Sequence, residues 1–172
     1  MVAAISRYGF LTDGDDPQPE HWTSDEDRQQ LQKLLRSHSL HIMGGTTYEI
    51  HHPGPVEGAT KVILTRTPEA ETEQPGKLLF RSATPQELVE EFSADYDKCL
   101  LLGGSSIYRQ FLEAELVDEI YLTVEPVTHG SGVALLGDDE QLEDVVSVEP
   151  TVTRLNDGGT KLHHYQLQRT IN

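Results

Sequence analysis

Along most of the chain, short apolar runs alternate with stretches of helical periodicity. Residues 2–6, 40–43, 61–65, 78–80, 99–102 and 119–125 are such runs, most of them rich in Val, Ile and Leu. Their length and polar flanks predict strands, several buried on both faces as in a parallel sheet. Between them, Leu31, Leu34 and Leu35 stripe a helix that ends at Arg36. Thr23 or Ser24 is its expected cap, and Thr23-x-x-Glu26 fits a capping box. Thr84-Pro85-x-Glu87 opens a helix to about Phe92 with a cap, a first-turn proline and a reciprocal glutamate. A helix over 105–113 and a short one after Gly44-Gly45 complete the set. Residues 8–21, 51–58 and 68–76 read as loops.

The pattern changes after Pro126. Residues 145–154 and 161–168 predict two strands around the turn Asn156-Asp157-Gly158-Gly159. The fold class is therefore α/β: a mostly parallel sheet, helices on both faces, and an antiparallel C-terminal hairpin. The 172 residues suit one domain, and no repeat or linker divides 1–172.

Charge narrows the partners. The formal net charge of −16 opposes a phosphate backbone and an anionic bilayer, so neither nucleic acid nor membrane is expected. No run approaches the roughly 18 apolar residues of a membrane span. Residues 1–6 lack the basic and apolar regions of a signal peptide. Cys99 is the only cysteine, which excludes an intrachain disulfide and a cysteine zinc cluster and suits a reducing cytoplasm. The pairs His51-His52 and His163-His164 invite a metal reading, but neighbours on a strand point to opposite faces, and no metal is expected.

The candidate chemistry lies in two strand–glycine–helix junctions. One is Met43-Gly44-Gly45-Thr46-Thr47, the other Leu102-Gly103-Gly104-Ser105-Ser106. Glycines admit a ligand close to the backbone, and a helix N-terminus favours an anion. Each also reads as a plain turn, with Thr46 or Thr47 capping its own helix. In open α/β sheets ligands sit beyond the carboxyl ends of the strands, where both junctions fall, so one nucleotide gripped from two sides is the sharper expectation.

Five pieces in order carry a resemblance: Trp22 before a helix bearing Asp27; Ile42-Met43-Gly44-x-x-Thr47-Tyr48-Glu49; Val62-Ile63-Leu64-Thr65-Arg66; Gly103-Gly104-x-x-Ile107-Tyr108; and Tyr121-Leu122-Thr123. Together they resemble the dihydrofolate reductase-like superfamily over nearly the whole chain. Trp22-Thr23-Ser24, Leu34-Leu35-Arg36, Leu116-Val117-Asp118-Glu119 and Pro126-Val127-x-x-Gly130-Ser131-Gly132 bring it nearest to the reductase domain of the riboflavin-biosynthesis deaminase–reductase. The 172 residues carry none of the His-x-Glu and Pro-Cys-x-x-Cys elements of the zinc deaminase half, so a stand-alone reductase domain is expected. Dihydrofolate reductase proper and a non-catalytic nucleotide-binding module are the alternatives.

The resemblance implies the three-layer α/β/α fold, NADPH as cofactor, a small-molecule substrate such as a pyrimidine or pterin, and a homodimer. It implies cofactor contact at Gly44, Gly45, Thr46, Thr47, Thr65, Arg66, Gly103, Gly104, Ser105, Ser106, Ile107 and Tyr108, with an unusual, cis Gly103–Gly104 peptide. Arg66 would meet the adenosine 2′-phosphate. Asp27 would bind substrate and help protonate it, although acids in a first helical turn also answer the dipole alone. Ala4, Trp22, Leu31 and Ile50 would line the substrate site, and Thr123 would orient its acid; the apolar ones equally suit a core. The chain departs from the family pattern in three places. Ala59, Thr60 and Lys61 stand where a tail-binding arginine precedes the third strand, Gly45 stands for a phosphate-binding arginine, and Leu102 replaces the glutamate before the second glycine pair.

Overall fold

The computed structural model describes residues 1–67, 77–137 and 140–167. Its elements are β1 (Val2–Ile5), a 3-10 turn (Pro19–His21), α1 (Asp25–Ser37), β2 (Leu40–Gly44), α2 (Gly45–His51), β3 (Thr60–Leu64) and β4 (Leu78–Arg81). There follow α3 (Pro85–Phe92), β5 (Cys99–Leu101), α4 (Ser105–Glu113), β6 (Glu119–Val124), α5 (Leu142–Val145), β7 (Thr151–Arg154) and β8 (Lys161–Gln166). The expected loop 68–76 and residue 168 of the last expected strand lie outside the described residues.

The strands form two four-stranded sheets. One, ordered β4-β3-β2-β5, is parallel throughout. The other, β1-β6-β8-β7, pairs β1 with β6 in parallel and closes with the antiparallel hairpin expected around Asn156. The backbone ladder is thus interrupted between β5 and β1, where a single sheet was the simpler expectation. Side chains span the gap. The Tyr108 hydroxyl of α4 donates to the Val2 carbonyl of β1 at 2.6 Å. Leu34 of α1 packs with Val2 of β1 and Leu100 of β5.

Strand periodicity sorts the core into two layers. Ile42, Val62, Leu101 and Ala3 face the large cluster under α3 and α4, with Leu88, Ile107 and Phe111. Their neighbours Met43, Ile63, Leu100 and Val2 face the other way, toward α1 and α2. This is the three-layer α/β/α arrangement, and it explains why β2 and β3 read as unbroken apolar runs. Each fully buried Leu, Ile or Phe here is worth roughly 1.5–3 kcal/mol of burial.

Local signals set most helix starts. Thr84 caps α3 reciprocally: its hydroxyl accepts from Glu87 N at 3.3 Å and Glu87 accepts from Thr84 N at 2.7 Å. Other expectations are corrected. Ser24, not Thr23, caps α1, and Glu26 accepts from Asn156 instead of closing a capping box. Gly44 is the cap residue of α2, so neither Thr46 nor Thr47 fills that role. The strand expected over 145–154 begins only at Thr151, because Pro150 has no N–H for the ladder and Leu142–Val145 is a short helix. Cys99, at the start of an apolar run expected to form a buried strand, is half-buried.

Candidate active site

The two glycine junctions meet. Both lie at the carboxyl ends of neighbouring parallel strands, β2 and β5, and Gly44 N donates to the Gly103 carbonyl at 2.7 Å. A Cβ on Gly104 would stand 3.0 Å from Thr47 Oγ1 of α2, and one on Gly44 would stand 3.1 Å from Ile107 Cγ1 of α4. Gly103 has φ +112, and a Cβ there would meet the Tyr108 hydroxyl at 3.1 Å. Larger residues would close this crest. The Gly103–Gly104 peptide is cis, as the resemblance implies. Gly44 and Gly104 give no side-chain cap to α2 and α4, so the first N–H groups of both helices are left for another acceptor.

The remaining cofactor candidates divide. Thr65 follows β3 and sits against Gly45, at 3.4 Å from a Cβ built there; Arg66 beside it is exposed. Ser105 is half-buried and Ser106 exposed on the first turn of α4. Ile107 and Tyr108 belong to the core, and their N–H groups donate to the Gly104 carbonyl. The Tyr108 hydroxyl is spent on Val2, and burial holds its proton far above the usual range. Their side chains therefore shape the crest from beneath.

From Ser105 and Ser106 a groove of about 1110 Å³ runs over the α4 side, past Arg109, Arg7 and His163. Neither arginine stood out in the sequence. The available signals were weak: Arg109 lies one helical turn beyond Ser105, and Arg7 follows the end of β1. His163 lines this groove while His164 stacks on Tyr121, so the adjacent histidines do point to opposite faces.

The substrate candidates assemble on the opposite face of the sheet. Asp27, in the first turn of α1, is 8 % exposed and lies close enough to the Thr123 hydroxyl of β6 to feel it. Thr123 pairs in register with Ala4 of β1, which brings Ala4, Asp27 and Thr123 together. Burial is the main force on the Asp27 carboxyl and raises its pKa; the Thr123 bond opposes this, the Glu125 charge adds to it, and Arg28 opposes it. Leu31, one turn along α1, packs partly against Val2, Leu34 and Leu100 at the edge of the core. Ile50 on α2 is 39 % exposed. Trp22 sets its ring edge-on to His129 at 5.0 Å, and its buried Nε1 has no partner in the protein.

Glu125 is the residue that sequence reading missed. It follows β6, is 2 % exposed, and accepts from Ser24 N at 2.8 Å, Ser24 Oγ at 2.7 Å and Thr160 Oγ1 at 2.7 Å. Its only sequence signal was an acid at the end of an apolar run. Lys61 is also explained: it is buried, and its ammonium donates to the carbonyls of Pro53, at 2.9 Å, and Gly54. It is therefore not presented to an acidic ligand tail. Among the described residues no group of three His, Cys, Asp or Glu side chains could hold a metal ion, and no helix is long and apolar enough to cross a membrane.

The family described as the RibD C-terminal domain matches residues 2–163. A pyrimidine reductase-like protein from Corynebacterium diphtheriae superposes with a TM-score of 0.72 at 16% identity, over 98% of this chain and 90% of its own. A diaminohydroxyphosphoribosylaminopyrimidine deaminase/5-amino-6-(5-phosphoribosylamino)uracil reductase from Thermotoga maritima gives 0.70 at 18% identity, over 96% of this chain and 55% of its own. A curated relative, the bifunctional dihydrofolate reductase–thymidylate synthase of Plasmodium vinckei, is 32% identical over 88 residues, 48% of this chain. The chain spans about half the length of that relative, 47%.

Proposed function

The chain belongs to the RibD C-terminal domain family, and from that premise we propose that it is an NADPH-dependent reductase of a small pyrimidine, pterin or related compound, similar to 5-amino-6-(5-phosphoribosylamino)uracil reductases. The observation that carries this reading is the contact between the glycine junctions: two helix N-termini without side-chain caps converge on one crest, where Cβ atoms would fill the space. A dinucleotide's diphosphate fits this donor set, since it brings only acceptors and negative charge. Gly44, Gly45, Gly103 and Gly104 would hold it, with Thr46, Thr47, Ser105 and Ser106 adding hydroxyls. Arg66, beyond β3, suits a 2′-phosphate and favours NADPH over NADH.

When bound, the cofactor supplies a hydride to a C=N or C=O carbon. The protein's part is to place that carbon and to supply the proton taken up by the nitrogen or oxygen. Asp27 suits both tasks. A carboxyl in this setting pairs with an N–C–N edge, and its burial keeps it protonated at higher pH than a free aspartate. Ala4, Trp22, Leu31 and Ile50 would form the walls, and Thr123 fixes the acid. Dihydrofolate reductase proper is disfavoured, because Lys61 is turned onto Pro53 and Gly54 and offers no cation to a folate tail.

The test is a titration with NADPH and NADH, read by Trp22 emission and thermal shift. A screen of pyrimidines and pterins by loss of nicotinamide absorbance follows. NADPH should bind at least tenfold tighter, and one ring class should turn over. Binding without turnover of any ring compound would favour a nucleotide-binding module instead; no binding of either cofactor at millimolar concentration would overturn the reading.

A further inference from the structure

Glu125 is nearly as buried as any polar residue described, and its partners show what it joins. The Ser24 hydroxyl donates to Glu125 while accepting from Asp27 N at 3.2 Å. The other Glu125 oxygen accepts from Thr160, whose hydroxyl also accepts from Asn156 Nδ2 at 3.0 Å. Asn156 in turn donates to Glu26 at 2.9 Å and accepts from Thr160 N at 3.1 Å. Three segments remote in sequence, at 24–27, 125 and 156–160, thus share one largely buried network. Glu125 is its hub, with three donors on two oxygens, an arrangement that suits the acceptor-only form of a carboxylate.

Resting on the reductase reading for its catalytic meaning, we infer that Glu125 is a positioning residue for Asp27: a charged acid that clamps the N-terminus of α1 to the end of β6 and the β7–β8 turn. The clamp sets where the Asp27 carboxyl sits and how readily it parts with a proton. Thr123, near the end of β6, and Glu125, just past it, are two residues apart, so one strand end provides both the hydroxyl and the charge that act on Asp27. The other charged groups near Asp27 are accounted for. Arg28 acts in the opposite sense to Glu125 and is bonded to Asp25, Glu26 is bonded to Asn156, and Arg154 is paired with Asp157 in the turn. Two neighbouring acids then divide the work. Glu125 holds charge and position, and Asp27 carries the proton.

The decisive variant is Glu125→Gln. Its amide oxygen still accepts from Ser24, but its NH₂ must donate to Thr160 Oγ1, so the charge is lost and the Thr160 bond reverses. Thr160→Val, which removes that bond and keeps the charge, is the control and should leave the Asp27 midpoint in place. Carbon-13 titration of the Asp27 carboxyl in the ligand-free protein should show a lower midpoint in Glu125→Gln than in the wild type. The alkaline limb of kcat/KM should move to lower pH by the same amount, so that half a pH unit costs about threefold in rate on that limb. Ser24→Ala, which keeps the charge but breaks the link, should raise KM and leave the limb in place. An unchanged Asp27 midpoint, or a rate loss uniform across pH, would overturn the inference. A shifted midpoint in a protein that reduces no ring compound would sink the reductase reading and uphold the coupling.

Discussion

The two ends of the candidate cleft are built differently. The crest over β2 and β5 is backbone: glycines, uncapped helix N-termini and a Gly44–Gly103 hydrogen bond. The end over β1 and β6 is side chain: Asp27, Thr123, Ser24, Glu125, Thr160 and Asn156, nearly all buried or half-buried. A backbone site recognises what every phosphate has in common, acceptor oxygens and charge. A side-chain network can instead adjust the proton affinity of one group and match one ring edge. The comparison teaches that a backbone-built end and a side-chain-built end can be varied separately in this fold.

Asp27→Asn should break the comparison most sharply. Turnover should fall about 10²-fold or more, as expected for a lost general acid, with the NADPH Kd within twofold of wild type. Stopped-flow hydride transfer and equilibrium titration measure the two. The mirror experiment is Gly103→Ala, where φ +112 and the 3.1 Å approach to the Tyr108 hydroxyl both penalise a side chain. It should weaken NADPH by about tenfold and cost about 1–3 kcal/mol of stability, with the Asp27 titration unmoved.

A third test uses pH. The folded pKa of Asp27 lies above its unfolded value because burial disfavours the charge. The folded form therefore binds the proton more tightly, and stability is greatest below the unfolded pKa and declines as pH rises through the folded one. Asp27→Asn removes that cost. Its Tm should exceed the wild-type value at pH 8 by about 2–4 °C per kcal/mol relieved, and the two curves should converge below about pH 4. The smallest effect sharpens the comparison from outside. Thr84→Ala loses the α3 capping box at about 1 kcal/mol, read by chemical denaturation, and leaves cofactor affinity and rate unchanged.

The crest was legible in the sequence because each junction is a contiguous strand–glycine–helix motif. The acid end was only half legible. Asp27 and Thr123 stood out through the resemblance, but Glu125 looked like the polar end of a strand. Its meaning depends on Ser24, 101 residues away, and Thr160, 35 residues away. Ile107 and Tyr108 show the converse: they sit inside the motif, yet helix geometry turns their side chains into the core. The strand expected over 145–154 failed locally, where Pro150 and the turn at Leu142–Val145 outweighed the apolar valines.

What the sequence determined by itself was therefore everything governed by near neighbours. That covers strand and helix order, the α3 cap, the glycine junctions and the Asn156 hairpin, since propensity, capping and φ freedom act over a few residues. Tertiary structure alone decided three things: the interruption between β5 and β1, the commitment of Lys61 to Pro53 and Gly54, and the buried network around Glu125. Each depends on where desolvated polar groups find partners. That choice is made between segments far apart in sequence, because a buried charge must be satisfied by whatever donors the fold brings to it.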